Sequence, residues 1–439
     1  MINHQTKVLL TYSFMALLLL LVGLLQSWNV ALAILNLCII SAIMSLGINI
    51  QWGNSGIVNF GAMGFTALGG LCCVLISMPV TKSAWQIGGF YVLFAIVIFF
   101  IFIFLTNKVW KLLKNSPKKR MIYSLLIFLI GFIILRFIAD PAILKIESFE
   151  PAKTGYLGGI NLPIIFSWPI AGLLSAITAF FIGKIALGLR SDYLAIATLG
   201  ITEIILYFIK NEDWLSRGVK NVNGLPRPVP YEVDLQNSVW LIEFTEKFNL
   251  SPVITSSIIV KLSYSLLFLS VLIIIFVLFE TALKSPWGRM MRAIRDNEIS
   301  ASAMGKDVKK RHLQVFIIGS AVIGIAGAMM TTLDGQFTPA SYQPIRYTFL
   351  IWIMVIVGGS GNNYGAVFGG FLIWFFWVES EPLGLWLIQL LTSYLNDENA
   401  IKIHLLESAA HMRLIMMGLI LLLALRFAPK GVIEEQKRI

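Results

Sequence analysis

The sequence predicts an all-α protein, a polytopic helical bundle integral to a membrane, with about 10–12 spans, some short or broken. Three observations carry that expectation. Of 439 residues, 57% are apolar and only 13% are charged, against roughly 25% charged in soluble domains. The mean hydropathy is +0.82. Apolar runs of about 20 residues recur along the chain, each long enough to cross a bilayer as a helix. A helix satisfies its own backbone hydrogen bonds, which hydrocarbon demands.

Spans are expected near 8–25, 30–48, 57–77, 87–106, 121–139, 168–188, 192–210, 255–283, 313–333 and 410–427. Two shorter apolar pieces, 348–358 and 365–378, flank a glycine-rich turn. Lys7, the run after it and Ala31-Leu32-Ala33 loosely imitate a signal peptide. That run is long, and a second follows at once, so it reads as a retained first span.

The net charge is +11. Threading the spans alternately puts Lys7, Arg190, Asp192, the loops 107–120 and 284–312 and the tail 426–439 on one side. That side holds 20 Lys/Arg and 6 Asp/Glu, while the opposite loops hold 9 and 15. Positive loops stay inside, so the first side is expected to be cytoplasmic, with both termini there and an even span count. Basic residues placed this way face a membrane surface, and nucleic acid is not an expected partner. The whole chain, 1–439, reads as one transmembrane domain with cytoplasmic loops 107–120 and 284–312 and an outer loop 211–254.

Taken in order, the first glycine-rich segment runs Gly53-Asn54-Ser55-Gly56, then Asn59-Phe60-Gly61. Small residues let membrane helices pack closely. The asparagines also fit a broken or re-entrant helix lining a buried polar path. The loop 107–120 has six basic residues and no acid, as expected of a belt facing lipid headgroups. In the span 192–210, Glu203 falls inside an apolar run that also carries Thr198. A carboxylate at that depth either meets cargo or protons, or fixes packing through a hydrogen bond. Lys184, Arg136 and Glu280 lie nearer span ends and are expected to snorkel. In the outer loop, Pro226, Pro228 and Pro230 forbid regular helix and point to a stiff cap.

The loop 284–312 carries eight Lys/Arg against three acids. Ser285-Pro286 reads as a hydroxyl cap with proline in the first turn. Arg289, Arg292 and Arg295 recur every three residues, with Met290, Met291 and Ile294 on another face. Asp296-Asn297 can cap a second helix, Glu298 suits its first turn, and Gly305 its stop. An ordered basic loop of this kind reads as a docking surface for a cytoplasmic protein. The second glycine-rich segment, Gly358-Gly359-Ser360-Gly361-Asn362-Asn363-Tyr364-Gly365, repeats the small-residue and asparagine pattern of the first, and neither is a phosphate loop. Cys38, Cys72 and Cys73 sit in apolar runs, and His4, His312, His404 and His411 do not cluster. No catalytic residue, metal site or cofactor is expected.

These blocks resemble the branched-chain amino acid (leucine/isoleucine/valine) permease family of ABC importers. The resemblance rests on Ser45–Gly53, Gly56–Gly61, Asp192–Gly200 with Glu203, Gly224–Pro228, Ser285–Gly305, Val357–Gly370 and the tail Arg426–Gly431. The Asp192-Tyr193-Leu194-Ala195 block and its following loop resemble the longer of two permease partners. The insert 107–120 with its flanking spans is longer than usual, and Asn362-Asn363 stands where the family is more apolar.

The resemblance implies a type II ABC-importer permease in a bacterial inner membrane. It implies a second homologous permease, two cytoplasmic ABC ATPases and a periplasmic binding protein as partners. Its coupling loop would use Arg289, Arg292, Arg295, Asp296, Asn297, Glu298, Ala303 and Gly305, with the contact on a short helix near 297–304. Asn54, Asn59, Thr198, Glu203 and Asn362 are candidates for the translocation path. A urea or short-chain amide permease of the same fold, and an ion-coupled secondary transporter, remain alternatives.

Overall fold

The structure is a computed structural model that describes residues 4–151, 155–396 and 399–435. In chain order its long helices are α1 (His4–Leu25), α2 (Trp28–Gly53), α3 (Ala62–Ser77), α4 (Lys82–Leu112), α5 (Pro117–Ser148), α6 (Ile164–Ala186) and α7 (Ser191–Asn211). Then come α8 (Val239–Phe248), α9 (Pro252–Lys284), α10 (Pro286–Asp296), α11 (Glu298–Ala303) and α12 (Val308–Asp334). The chain ends with α13 (Pro344–Gly358), α14 (Asn363–Leu391) and α15 (Ala400–Phe427). Ten of these are long and apolar enough to cross a membrane, and α3 and α13 are shorter apolar helices. The all-α bundle expected from the apolar runs is present.

Burial orders the bundle. The apolar windows of α2 and α12 are 78% and 61% buried, so these two form its centre. Those of α5 and α15 are 11% buried and lie at its edge. α4 and α5 pack mainly on each other as a peripheral hairpin. Glycines let the central helices touch backbone to backbone. A Cβ on Gly327 of α12 would collide with the Thr66 backbone of α3, and one on Gly69 of α3 with the Gly324 carbonyl of α12. Close approach of this kind replaces the hydrophobic drive that hydrocarbon cannot supply.

The two ends of the bundle differ. At the end carrying α10 and α11, His4, Arg295 and Glu435 line one cavity, so the described chain ends meet there. At the far end, Val222–Asn223 pairs antiparallel with Gln336–Phe337, and the Leu157 N–H donates to the Trp214 carbonyl at 2.9 Å. The three prolines of the outer loop sit in irregular chain, as expected, but Glu232–Gln236 and Val239–Phe248 after them are helical.

Three expectations need correction. The run 57–77 is not one span: residues 57–61 are irregular and only Ala62–Ser77 is helical, about 24 Å at 1.5 Å per residue. The piece expected at 365–378 is a 29-residue helix, Asn363–Leu391. It continues past Glu379 and Glu381 because Gln26 Nε2 donates to Glu379 at 2.7 Å and Arg413 pairs with Glu381. Glu280 does not snorkel. It accepts from Asn363 Nδ2 at 3.0 Å and pairs with Lys284 at 3.3 Å.

Candidate functional site

The loop 284–312 folds as its punctuation dictates. The Ser285 hydroxyl accepts from the Trp287 N–H at 3.2 Å and opens α10, with Pro286 in the first turn. The Asn297 carboxamide accepts from the Ser300 N–H at 2.9 Å and opens α11, with Glu298 in its first turn. Gly305 follows at φ +78°, and the Lys306 N–H closes the end on the Ala301 carbonyl at 3.2 Å. Glycine takes that left-handed conformation without steric cost.

The three arginines do not share one exposed face. Arg289 stays exposed, and Arg292 reaches back to the Leu283 carbonyl at 3.2 Å. Arg295 turns inward. Its Nη1 donates to the Gly53 carbonyl at 2.6 Å and to Glu435 Oε2 at 2.9 Å, and its Nε meets Asp296 at 3.1 Å. Burial opposes the Arg295 charge, but the Glu435 and Asp296 carboxylates more than offset it and hold the guanidinium's pKa above its ordinary value. Beside exposed Glu298, Ser300 and Ser302, α11 presents large apolar side chains outward: Ile299 is 83% exposed and Met304, just after it, 79%. Composition drew attention to the basic residues and passed over these two. Ala303 is exposed beside them, and Ala301 is buried against the bundle.

Behind Arg295 the two glycine-rich breaks meet. α2 ends in a π-turn, Asn49–Gly53, whose wider ring frees backbone groups that need partners. The Asn49 Oδ1 accepts from the Gly361 N–H at 2.8 Å, and its Nδ2 donates to Asn363 Oδ1 at 3.1 Å. The tail closes over the second break: Val432 and Ile433 donate to the Val357 and Gly358 carbonyls at 2.8 and 2.9 Å. Asn49, Asn363, Glu280 and Glu435 therefore join a junction that the sequence patterns did not assemble.

The five path candidates do not gather in one place. Asn54 and Asn362 lie at this junction. Asn54 lines the cavity of about 450 Å3 beside Arg295 and leaves its Oδ1 without a partner. Asn362 caps α14 through the Tyr364 N–H at 3.0 Å and holds the tail through the Glu434 carbonyl at 3.0 Å. Asn59, in the irregular chain between α2 and α3, and Thr198 of α7 form a second group. Asn59 bonds Gln51 at 2.9 Å and the Gly61 N–H at 2.7 Å, and Thr198 accepts from the Phe60 N–H at 3.0 Å. Trp352 of α13 completes it by donating to the Asn59 carbonyl at 3.1 Å. The freed backbone of the first break is thus bonded inside the protein. Glu203 stands apart. Five residues along α7 from Thr198, it lies about 140° around the helix and is exposed, with no hydrogen bond or ion pair to a described residue. Among the described residues no group of three or more His, Cys, Asp or Glu could hold a metal ion.

The fold and this geometry can be compared with known proteins. A family model described as the branched-chain amino acid transport system / permease component matches residues 30–425. The chain belongs to that family. It is a multi-pass membrane protein of the permease class. It is 29% identical over 209 residues to the high-affinity branched-chain amino acid transport system permease protein LivM of Escherichia coli, covering 47% of this chain and 48% of that one. It is 28% identical over 218 residues to the probable branched-chain amino acid transport permease protein LivM of Methanocaldococcus jannaschii, covering 47% and 56%. The probable LivH permease of the same organism matches at 32% over 111 residues, covering 25% and 34%. The chain spans about half the length of these two LivM relatives. No solved structure matches it.

Proposed function

We propose that this chain is the membrane-spanning permease subunit, one transmembrane domain, of an ATP-driven importer in a bacterial inner membrane. It translocates branched-chain or related amino acids handed over by a periplasmic binding protein. The family match over residues 30–425 carries the reading. A second permease of LivH type pairs with it, and two cytoplasmic ABC ATPases dock on α10 and α11. The excess of basic over acidic residues at that end supports its cytoplasmic placement, together with both termini.

The docking geometry supports the ATPase as partner. A capped short helix presents exposed Ile299 and Met304, while Arg295 in the preceding helix is bonded to the first break. ATP-driven closure would push on α11 and reach the breaks through Arg295. The exposure of Glu203 supports a different contact. An ionised carboxylate facing lipid at mid-span costs about 2.5–3.5 kcal/mol. Turning it toward the second permease and a hydrated path between the two removes that cost, with Thr198 and Asn59 behind it.

The test is reconstitution with the second permease, the ATPases and the binding protein. ATP-dependent leucine uptake is expected. Transport of urea with leucine ignored, or uptake driven by an ion gradient without the ATPases, overturns the assignment.

A further inference from the structure

A cavity of about 280 Å3 lies between α2, α3, α12, α13 and α14, near the end of the bundle opposite the docking helices. It is distinct from the junction around Arg295 and shares no residue with it. Cavities that hold drug-sized ligands run from roughly 300 Å3 upward, so this one suits a smaller molecule. Its wall is mostly aliphatic, from Ile40, Met44, Met63 and Met330. Methionine is unbranched and adaptable, so such a wall can accept more than one aliphatic shape.

Its polar groups are few and unspent. Asp334, the last residue of α12, stands exposed at the mouth of the cavity and has no hydrogen bond or ion pair to a described residue. Ser41 of α2 is only 2% exposed, yet its hydroxyl bonds nothing among the described residues. The Tyr347 hydroxyl is likewise free of a bonded partner, and the buried Trp374 ring N–H has no acceptor. Buried polar groups in a packed bundle are ordinarily bonded, so the unmet Ser41 hydroxyl and Trp374 ring N–H, beneath half-buried Tyr347 and an unpaired carboxylate at the mouth, mark a site open to a ligand.

We infer that this cavity is a subsite, within this single chain, for a free α-amino acid with an aliphatic side chain. Asp334 attracts the α-ammonium, the Ser41 and Tyr347 hydroxyls donate to the α-carboxylate, and the methionine wall takes the side chain. A lipid acyl chain would fill the aliphatic part but leave every one of these polar groups unmet. The inference rests on the importer reading above, and it moves substrate contact from the boundary between permeases into the bundle of one of them. None of the five path candidates lines it.

The test uses the full complex in nanodiscs without the binding protein, with equilibrium binding of leucine and of 4-methylpentanoate, which lacks the ammonium. The wild type is expected to bind leucine and reject the desamino acid. Asp334→Asn should weaken leucine by about twofold to fivefold, the loss expected for one solvent-exposed ion pair, and narrow its preference over the desamino acid. Ser41→Phe should fill the cavity and abolish binding. Asp334→Asn, at an unpaired position, keeps the test alive if Ser41→Phe fails to assemble. Wild-type leucine binding and uptake in Asp334→Asn, with the preference intact, overturns the subsite. So does a lipid chain recovered from the cavity that leucine does not displace. A wild-type complex that imports no leucine at all overturns the importer reading instead.

Discussion

Arg295 offers the sharpest test of how the docking helices are joined to the bundle. Substituting methionine keeps most of the aliphatic stem and removes the guanidinium. The Gly53 carbonyl then loses a donor at 2.6 Å and Glu435 loses a partner at 2.9 Å. Hydrogen bonds to charged groups contribute about 1.5–3 kcal/mol each. The Arg295 and Glu435 side chains keep 23% and 31% of their exposure, so water takes over part of both roles. Only the Glu435 pair ties Arg295 to the tail, so a loss of about 1–2 kcal/mol for its local opening follows. At about 1.4 kcal/mol per factor of ten, the tail should open roughly 5- to 30-fold more often. Its reporters are the Val432 and Ile433 amides, bonded to Val357 and Gly358. Hydrogen exchange followed by mass spectrometry reads that opening directly. Peptides covering 428–435 should exchange faster by that factor, while those from α12, at the centre of the bundle, stay protected. Glu435→Gln, which keeps a hydrogen bond and removes a charge, should fall between. Unchanged tail protection in Arg295→Met would refute the junction, and faster exchange throughout the chain would mean that the variant unfolds rather than unlatches.

Three further outcomes are expected. Gly305→Pro removes an N–H that donates to Ser302 at 2.9 Å and forbids φ +78°, and Glu298→Arg sets a cation at a helix start; both should leave membrane insertion intact and lose leucine uptake per ATP hydrolysed, and unchanged uptake in both counts against docking at α11. Gly327→Leu drives a side chain into the Thr66 backbone; overpacking costs about 1–3 kcal/mol even against movable side chains, so the detergent-solubilised protein should lose monodispersity on size exclusion, and a wild-type profile contradicts the central packing. Asn59→Leu leaves the Gln51 carboxamide and the Gly61 N–H without their partner, at about 1–3 kcal/mol for each buried group, so its melting temperature should fall clearly below that of Thr11→Val, which alters a local bond in peripheral α1.

What was legible in the sequence is what is local. The helices of the loop 284–312 could be read because Ser285, Asn297 and Gly305 each act within four residues of themselves. The spans could be read because hydrocarbon imposes length and apolarity on each one separately. The errors fall where backbone or charge is stabilised from far along the chain. Residues 57–61 adjoin an apolar helix, and what holds them out of it is Thr198, Trp352 and Gln51, which bond the backbone and side chains of that stretch. Apolarity cannot tell the two conformations apart when two of those partners, Thr198 and Trp352, lie well over a hundred residues away. The premature end expected at residue 378 has the same origin. Glu379 and Glu381 look like a water-exposed terminus until Gln26 and Arg413 are placed beside them.

The junction is the strongest case of this kind. It is built from residues 49, 53, 280, 295, 361, 363 and 435, and no window of the sequence contains more than two or three of them. Its asparagines were visible, and so were its glycines. Their meaning was not, because an asparagine at a helix break reads equally as a path-lining group or as a backbone partner. Geometry separates the two. Asn49, Asn59 and Asn362 spend their amides on protein groups close by, so they hold the breaks in shape. Polar groups held in reserve are found elsewhere, on Glu203, Asn54, Asp334 and Ser41. In a bundle of this kind a bonded polar side chain argues for architecture and an unbonded one for cargo, a contact or water, and only the fold shows which is which.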